Sequence, residues 1–334
     1  MPFQLDRRYV DPNPEKEVNI VASYKCNNNC LFCCEGWHRN LDEKSTSEIK
    51  NILQEAKKNK VTRILFMGGE PSVRTDIIDL VSYAKDIGFK EIFLISNGRM
   101  FSYTHFTKKI IDAGMTNVLF SLLSHKEKIH DELTRSKGSF NQIVNGIKNV
   151  KKFKKIIVGN NTTVTKLNYQ YLPELAEFLV KLLTPPWDYF EFIHVNPFGS
   201  AWDNYEEIVP ELNKIAPYVH RAIDIGLRNN IKVTAEAMPF CHMNGYEKYV
   251  TELQMSEERA KITPKGDKDD LNLARKYGAK VKSEKCMSCR YEPICEGLWK
   301  NYAKKQGFSE LEPVKGKKIN TWDEFRKEFF HDLL

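Results

Sequence analysis

Three cysteines in the stretch YKCNNNCLFCCEG, Cys26, Cys30 and Cys33, are spaced Cys-x3-Cys-x2-Cys, with the aromatic Phe32 directly before the third. Thiolates this close on one loop can hold three irons of a four-iron, four-sulfur cluster and leave the fourth iron open to a ligand. Structural zinc closes with four protein ligands, so a three-cysteine loop without paired histidines suits zinc less well. Context argues against disulfides. No apolar signal segment precedes the motif, whose upstream sequence is MPFQLDRRYVDPNPEKE, and a chain of 334 residues can bury a core without covalent staples. Reduced thiols and a cytoplasmic location are the expectation. Cys34 is not needed by the spacing and is expected to be a buried or shielded thiol.

The other four of the eight cysteines lie near the far end of the chain. Cys286, Cys289 and Cys295 are spaced Cys-x2-Cys-x5-Cys, and Cys241 precedes them in FCHMNGYEKY. Four thiolates complete either a tetrahedral zinc site or a second iron–sulfur cluster, and spacing alone does not separate the two.

The elements that must position these thiols alternate. NIVASYKC predicts a buried strand that delivers the first cysteine loop. STSEIKNILQEAKK predicts a helix, with Ser45 and Glu48 forming a capping box. The cycle repeats through VTRILFMGG, EIFLISNG, NVLFSLLS, KIIVGNNTTV, YFEFIHVNP and IKVTAEAM as strands, with helical stretches between them. The last of these stretches is read as one long helix over 206–229. Strands linked by helices make parallel βαβ units. The expected fold class is therefore α/β, six such units and a closing strand curling into a full or partial barrel. Chemistry gathers at the C-terminal ends of barrel strands. Here those ends carry Cys26, GGEP, SNG, SLLSH, NNTTV and HVNP, with His38, His125 and His194 near the mouth. Alternation stops after Met238, which divides the chain into an extension (1–17), a barrel (18–238) and a small cysteine-containing domain (239–334).

Composition excludes some roles. The chain is 41% hydrophobic and 28% charged, with no apolar run long enough to span a bilayer. Its net charge of +7 is scattered as on a lysine-rich surface, so neither a membrane nor a nucleic-acid partner is indicated.

The cysteine spacing at the end of the first strand, over roughly Val18 to Met238, resembles the radical S-adenosylmethionine (radical SAM) superfamily, which has a partial (β/α)6-type barrel. The resemblance implies that Cys26, Cys30 and Cys33 hold a [4Fe-4S] cluster whose open iron is chelated by S-adenosylmethionine. Reductive cleavage then gives a 5′-deoxyadenosyl radical that abstracts a substrate hydrogen, with a flavodoxin or ferredoxin as low-potential electron donor. The resemblance also places Phe32, Gly68, Gly69, Glu70, Ser96, Asn97, Ser121, Arg135 and Asn161 at the cofactor. Glu70 would accept from its ammonium, the two glycines would let the backbone approach it, and Arg135 would face its carboxylate. The second cysteine set is similar to the auxiliary-cluster extensions called SPASM and twitch domains. It departs from the full SPASM run, because Trp299 stands where a further cysteine belongs. One auxiliary [4Fe-4S] cluster is expected, with zinc as the alternative.

An auxiliary electron acceptor favours net oxidation of substrate. The expectation is oxidative modification of a peptide or protein side chain, with small-molecule dehydrogenation or cofactor biosynthesis as the alternative. A non-enzymatic iron–sulfur or zinc module has no account of why GGEP, SNG and Arg135 fall at successive strand ends.

Overall fold

A computed structural model describes residues 16–255, 259–262, 268–270 and 273–331, the second and third of these in backbone only. Almost all of the 1–17 extension and much of the charged stretch before Lys280 lie outside the described residues.

Seven parallel strands run in sequence order across one sheet: β1 (Glu17–Ser23), β2 (Arg63–Gly68), β3 (Glu91–Ser96), β4 (Asn117–Phe120), β5 (Ile157–Val164), β6 (Tyr189–His194) and β7 (Lys232–Glu236). The sheet is open, a partial barrel. Side chains alternate across it with period two. Val18, Ile20, Ile64, Phe66, Ile92, Leu94, Phe190 and Phe192 pack into the main hydrophobic core under the helices. The intervening residues, such as Asn19, Met67, Ser121, Asn161, Glu191 and Glu236, face the lumen.

The helices are α1 (Thr46–Lys58), α2 (Ile77–Asp86), α3 (Thr104–Ala113), α4 (Glu127–Thr134), α5 (Ser139–Val150) and α6 (Leu172–Leu182). The capping box at Ser45 and Glu48 forms as its sequence predicts. Helix α4, between SLLSH and the glycine before α5, was not part of the expected order. The single long helix is corrected to α7 (Ser200–Asp203), α8 (Tyr205–Ile208) and α9 (Leu212–Arg228). Pro210 stands at the break, where it forces the preceding residue out of helical backbone.

Beyond β7 the chain returns to the sheet. β8 (Arg259–Ile262) pairs in parallel with β1, and β9 (Lys268–Asp270) pairs antiparallel with β8. Strand β1, which leads into the first cysteine loop, is thus flanked on both sides. The remaining C-terminal elements are a two-residue ladder of β10 (Lys280–Val281) with β11 (Leu298–Trp299), then α10 (Lys300–Gln306) and α11 (Trp322–Phe329). No helix among the described residues is long and apolar enough to cross a membrane.

Candidate active site and cysteine centres

The loop after β1 is held by backbone from a distant helix end. Asn29 and Leu31 donate their N–H groups to the carbonyls of Thr134 and Leu133, 3.0 and 2.9 Å away, which are terminal carbonyls of α4 with no partner inside the helix. Arg39 donates to Asn28 O (2.7 Å), and Arg99 donates to Asn27 O and to the Asn28 side chain. The asparagines between the first two cysteines are therefore the handles by which two arginines fix the loop. Neither arginine was singled out from the sequence, although Arg99 directly follows SNG.

The three thiols lie within electrostatic reach of one another. Burial pushes the Cys26 thiol up to about 11, and Glu70 and Cys33 add to the rise, while the Asn28 N–H and Arg39 oppose it. Burial also raises Cys30, reinforced by Cys26 and Cys33. Thiols that repel each other's anionic form in this way hold it only when a metal centre supplies positive charge. The donor set therefore fits a cluster with an open iron. Phe32 packs against the core beside them.

The GGEP segment acts on this loop directly. Gly69 and Glu70 donate N–H groups to Ser23 O (2.7 Å) and Lys25 O (2.8 Å), stitching the end of β2 to the chain entering Cys26. A Cβ on Gly69 would lie 2.2 Å from Lys25 O, and one on Gly68, whose φ is +120°, would lie 2.3 Å from Ser23 O. The glycines are needed for this backbone-to-backbone contact. Glu70 is likewise turned inward, 1% exposed. Its carboxylate accepts from Ser72 N (3.0 Å), Ser72 Oγ, Ser96 Oγ (2.9 Å) and Asn97 N (2.6 Å). Through those donors Glu70 ties the end of β2 to the end of β3. Asn97 continues the line, donating to Asn27 Oδ1 (2.7 Å) and standing 3.8 Å from Cys26 Sγ.

Ser121 follows β4 on the lumen side and donates its N–H to Ser96 O (3.1 Å). Arg135, exposed and in left-handed backbone with φ 50°, directly follows the carbonyl that receives Asn29. It therefore stands beside the cysteine loop. Asn161 lies within β5 and not at its end, and donates to Glu191 Oε1 (2.7 Å) on the same lumen face. His38 bonds Glu35 (2.7 Å) and packs near Tyr24, while His125 neighbours Tyr171. His194 is corrected: it shares the helix-side face of β6 with Phe190 and Phe192, packs on Tyr302, and is held down to about 3 by burial. It does not face the lumen. Cys34 is exposed, contrary to the shielded position expected, because Cys33 O turns the chain back by accepting from Gly36 N and Ser200 N. Cys34→Ala is expected to keep full iron content and S-adenosylmethionine cleavage; iron analysis showing the loss of a whole cluster would make Cys34 a ligand.

The second set converges as well. Cys241, Cys286, Cys289 and Cys295 all line one small cavity, which Leu311, Glu312 and Pro313 line as well. Val314 N donates to Cys289 Sγ (3.4 Å), and backbone N–H groups reach Cys241 and Cys295. Burial raises Cys241 to about 12 and Cys295 to about 11, and neighbouring cysteines add to both. An aromatic block sets the spacing. Phe240, next to Cys241, stacks on Tyr291, two residues after Cys289, with centroids 4.5 Å apart, and Phe325 of α11 packs against both. Among the described residues no three His, Cys, Asp or Glu side chains are grouped tightly enough for a single metal ion.

An open parallel α/β barrel with thiols clustered at its mouth defines an enzyme of the partial-barrel class. Residues 20–179 match the radical SAM superfamily. The match covers just under half of the chain, and members of that superfamily use S-adenosylmethionine, a [4Fe-4S] cluster and a reductant. The chain is 29% identical over 168 residues to a probable GTP 3′,8-cyclase of Methanopyrus kandleri, covering 50% of this chain and 53% of that protein. It is 25% identical over 269 residues to the Fe-coproporphyrin III synthase of Methanosarcina barkeri, covering 78% of this chain and 64% of that one. The chain thus spans about half the length of the cyclase. Streptococcus suis SuiB, solved bound to S-adenosylmethionine, shares the fold with a TM-score of 0.64 at 18% identity, over 90% of this chain and 76% of SuiB.

Proposed function

We propose that the protein binds its S-adenosylmethionine-cleaving cluster through Cys26, Cys30 and Cys33 and carries out a net oxidation of a peptide or protein side chain. The observation behind this reading is the stitching of one loop by three strand ends, in which Gly69, Glu70, Ser96 and Asn97 all bear on the chain around Cys26. When bound, the cluster and S-adenosylmethionine supply an organic radical that abstracts hydrogen. The chain's own part is to hold and orient. Arg135 offers a planar guanidinium to the methionine carboxylate, and Ser121 and Asn161 present polar groups along the lumen. Glu70 serves as a strut that keeps Asn97 against the loop.

Cys241, Cys286, Cys289 and Cys295 hold an auxiliary [4Fe-4S] cluster that accepts an electron. Zinc is the alternative occupant of the same four thiols. N–H groups directed at sulfur suit thiolates retained in a cluster. A low-potential flavodoxin or ferredoxin is the electron donor.

The peptide reading has a parallel in SuiB, also solved with its precursor peptide, though only the fold is shared. A second reading, a small-molecule substrate in cofactor biosynthesis, draws on the names of the cyclase and synthase relatives. Anaerobic turnover with deuterated substrates separates them. Deuterium reaching 5′-deoxyadenosine from a peptide supports the first, and deuterium from a nucleotide or porphyrin supports the second. No 5′-deoxyadenosine from reconstituted protein would overturn both.

A further inference from the structure

Helices α4 and α5 are joined by a short link, and one side chain closes it. Asp131 of α4 accepts through Oδ2 from Gly138 N (2.5 Å) and through Oδ1 from Ser139 Oγ (2.9 Å) and Phe140 N (2.9 Å). The first N–H groups of a helix have no partner inside it, and Gly138, at the N-cap of α5, has no side chain to serve them. Asp131 therefore caps α5 from the neighbouring helix, with its charge at the positive end of the α5 dipole. From the other side, the Asp131 carbonyl accepts from Ser136 N (3.1 Å) and Thr134 Oγ1 (3.2 Å), and the Glu132 carbonyl accepts from Arg135 N (3.1 Å). Thr134 and Ser139, both buried, add a hydroxyl pair across the link (2.7 Å).

Arg135 sits inside this clasp at φ 50° and ψ 37°, left-handed backbone that a residue with a side chain holds only when its surroundings impose it. Here the clasp imposes it, because Thr134, Ser136, Gly138, Ser139 and Phe140 all bond back to Asp131. The Arg135 guanidinium is exposed, and no residue among those described bonds or pairs with it. With no partner for its head, the direction of the side chain is set by the backbone alone. That backbone adjoins the Leu133 and Thr134 carbonyls, which receive Leu31 and Asn29 on either side of Cys30. One short stretch thus carries both a fixed contact to the cysteine loop and an arginine whose aim depends on the link.

We propose that Asp131 is the positioning residue for Arg135: by closing the α4–α5 link it keeps Arg135 in left-handed backbone and so aims the guanidinium at the methionine carboxylate of S-adenosylmethionine. The proposal rests on the Arg135 assignment above. A relaxed link lets φ return to negative values, where the Cα–Cβ bond points elsewhere. A planar donor fork bonds a carboxylate through both arms only when its position and its tilt are right, so a change of direction costs binding.

A double-mutant cycle on the anaerobically reconstituted full chain tests it, comparing wild type, Asp131→Ala, Arg135→Ala and the combined variant. S-adenosylmethionine binding is measured by equilibrium dialysis without reductant, so that no turnover occurs. Asp131→Ala should weaken binding about tenfold where Arg135 is present and less than about twofold where Arg135 is already alanine. Loss of the α5 cap should also lower the melting temperature, and by the same amount in both backgrounds, because Arg135 itself makes no bond in the free protein. If Asp131→Ala does not fold, Asp131→Asn, which keeps one accepting oxygen, takes its place with the same pattern expected. A binding loss equal in both backgrounds, or no loss at all, overturns the positioning role. Arg135→Ala that binds as tightly as wild type overturns the Arg135 assignment, and this proposal with it. Failure of the proposed function as a whole shows separately, as wild-type protein that binds no S-adenosylmethionine.

Discussion

Replacing Cys26, Cys30 and Cys33 together with alanine is expected to remove about half of the iron bound by anaerobically prepared protein, since the proposed function puts two four-iron clusters on the chain. It should also abolish 5′-deoxyadenosine formation. The loop itself should survive, because its frame is backbone and arginine: Asn29 and Leu31 bond the end of α4, and Arg39 and Arg99 grip Asn27 and Asn28. The variant thus removes the ligands without removing the fold, and circular dichroism should match wild type. Cleavage activity retained in the triple variant would defeat the assignment of these thiols.

The second large effect separates cofactor cleavage from substrate oxidation. Cys286→Ala with Cys289→Ala should abolish product formation while leaving S-adenosylmethionine cleavage measurable, because the auxiliary cavity is built from a different part of the chain than the β1 loop. Some stability will be lost too, since a bound cluster contributes folding free energy to the segment that carries it. The aromatic block of Phe240, Tyr291 and Phe325 should keep the region assembled. The check is the N-terminal cluster's spectrum in the variant, followed by product yield per 5′-deoxyadenosine. Full product from a folded variant without the second cluster would make the four cysteines structural.

The parallel strands and the first cysteine loop were legible because both are local patterns. Alternation of strand and helix, the Ser45–Glu48 box and the Cys-x3-Cys-x2-Cys spacing each lie within a few neighbouring residues. The inward turn of Glu70 was not legible, because a sequence shows a carboxylate after two glycines but not the Ser72, Ser96 and Asn97 donors it accepts from. The glycines were visible, yet what they approach, the backbone of Tyr24 and Lys25, depends on β1 and β2 being neighbours. Two misreadings had signals available. Pro210 marks the break before α9, and period-two counting from Phe190 and Phe192 puts His194 on the helix side.

The pairing of β8 with β1 bears on how the protein is made. On the ribosome the strand that feeds the cysteine loop emerges long before β8, and Glu17 waits for Arg259 before its outer ladder can close. Until then β1 is an unpaired edge, the kind of surface on which nascent chains associate wrongly. A late, non-local contact of this sort also slows folding. Completion of the sheet, and with it a settled seat for Cys26, Cys30 and Cys33, therefore waits for β8, so iron–sulfur delivery should act after that strand has emerged.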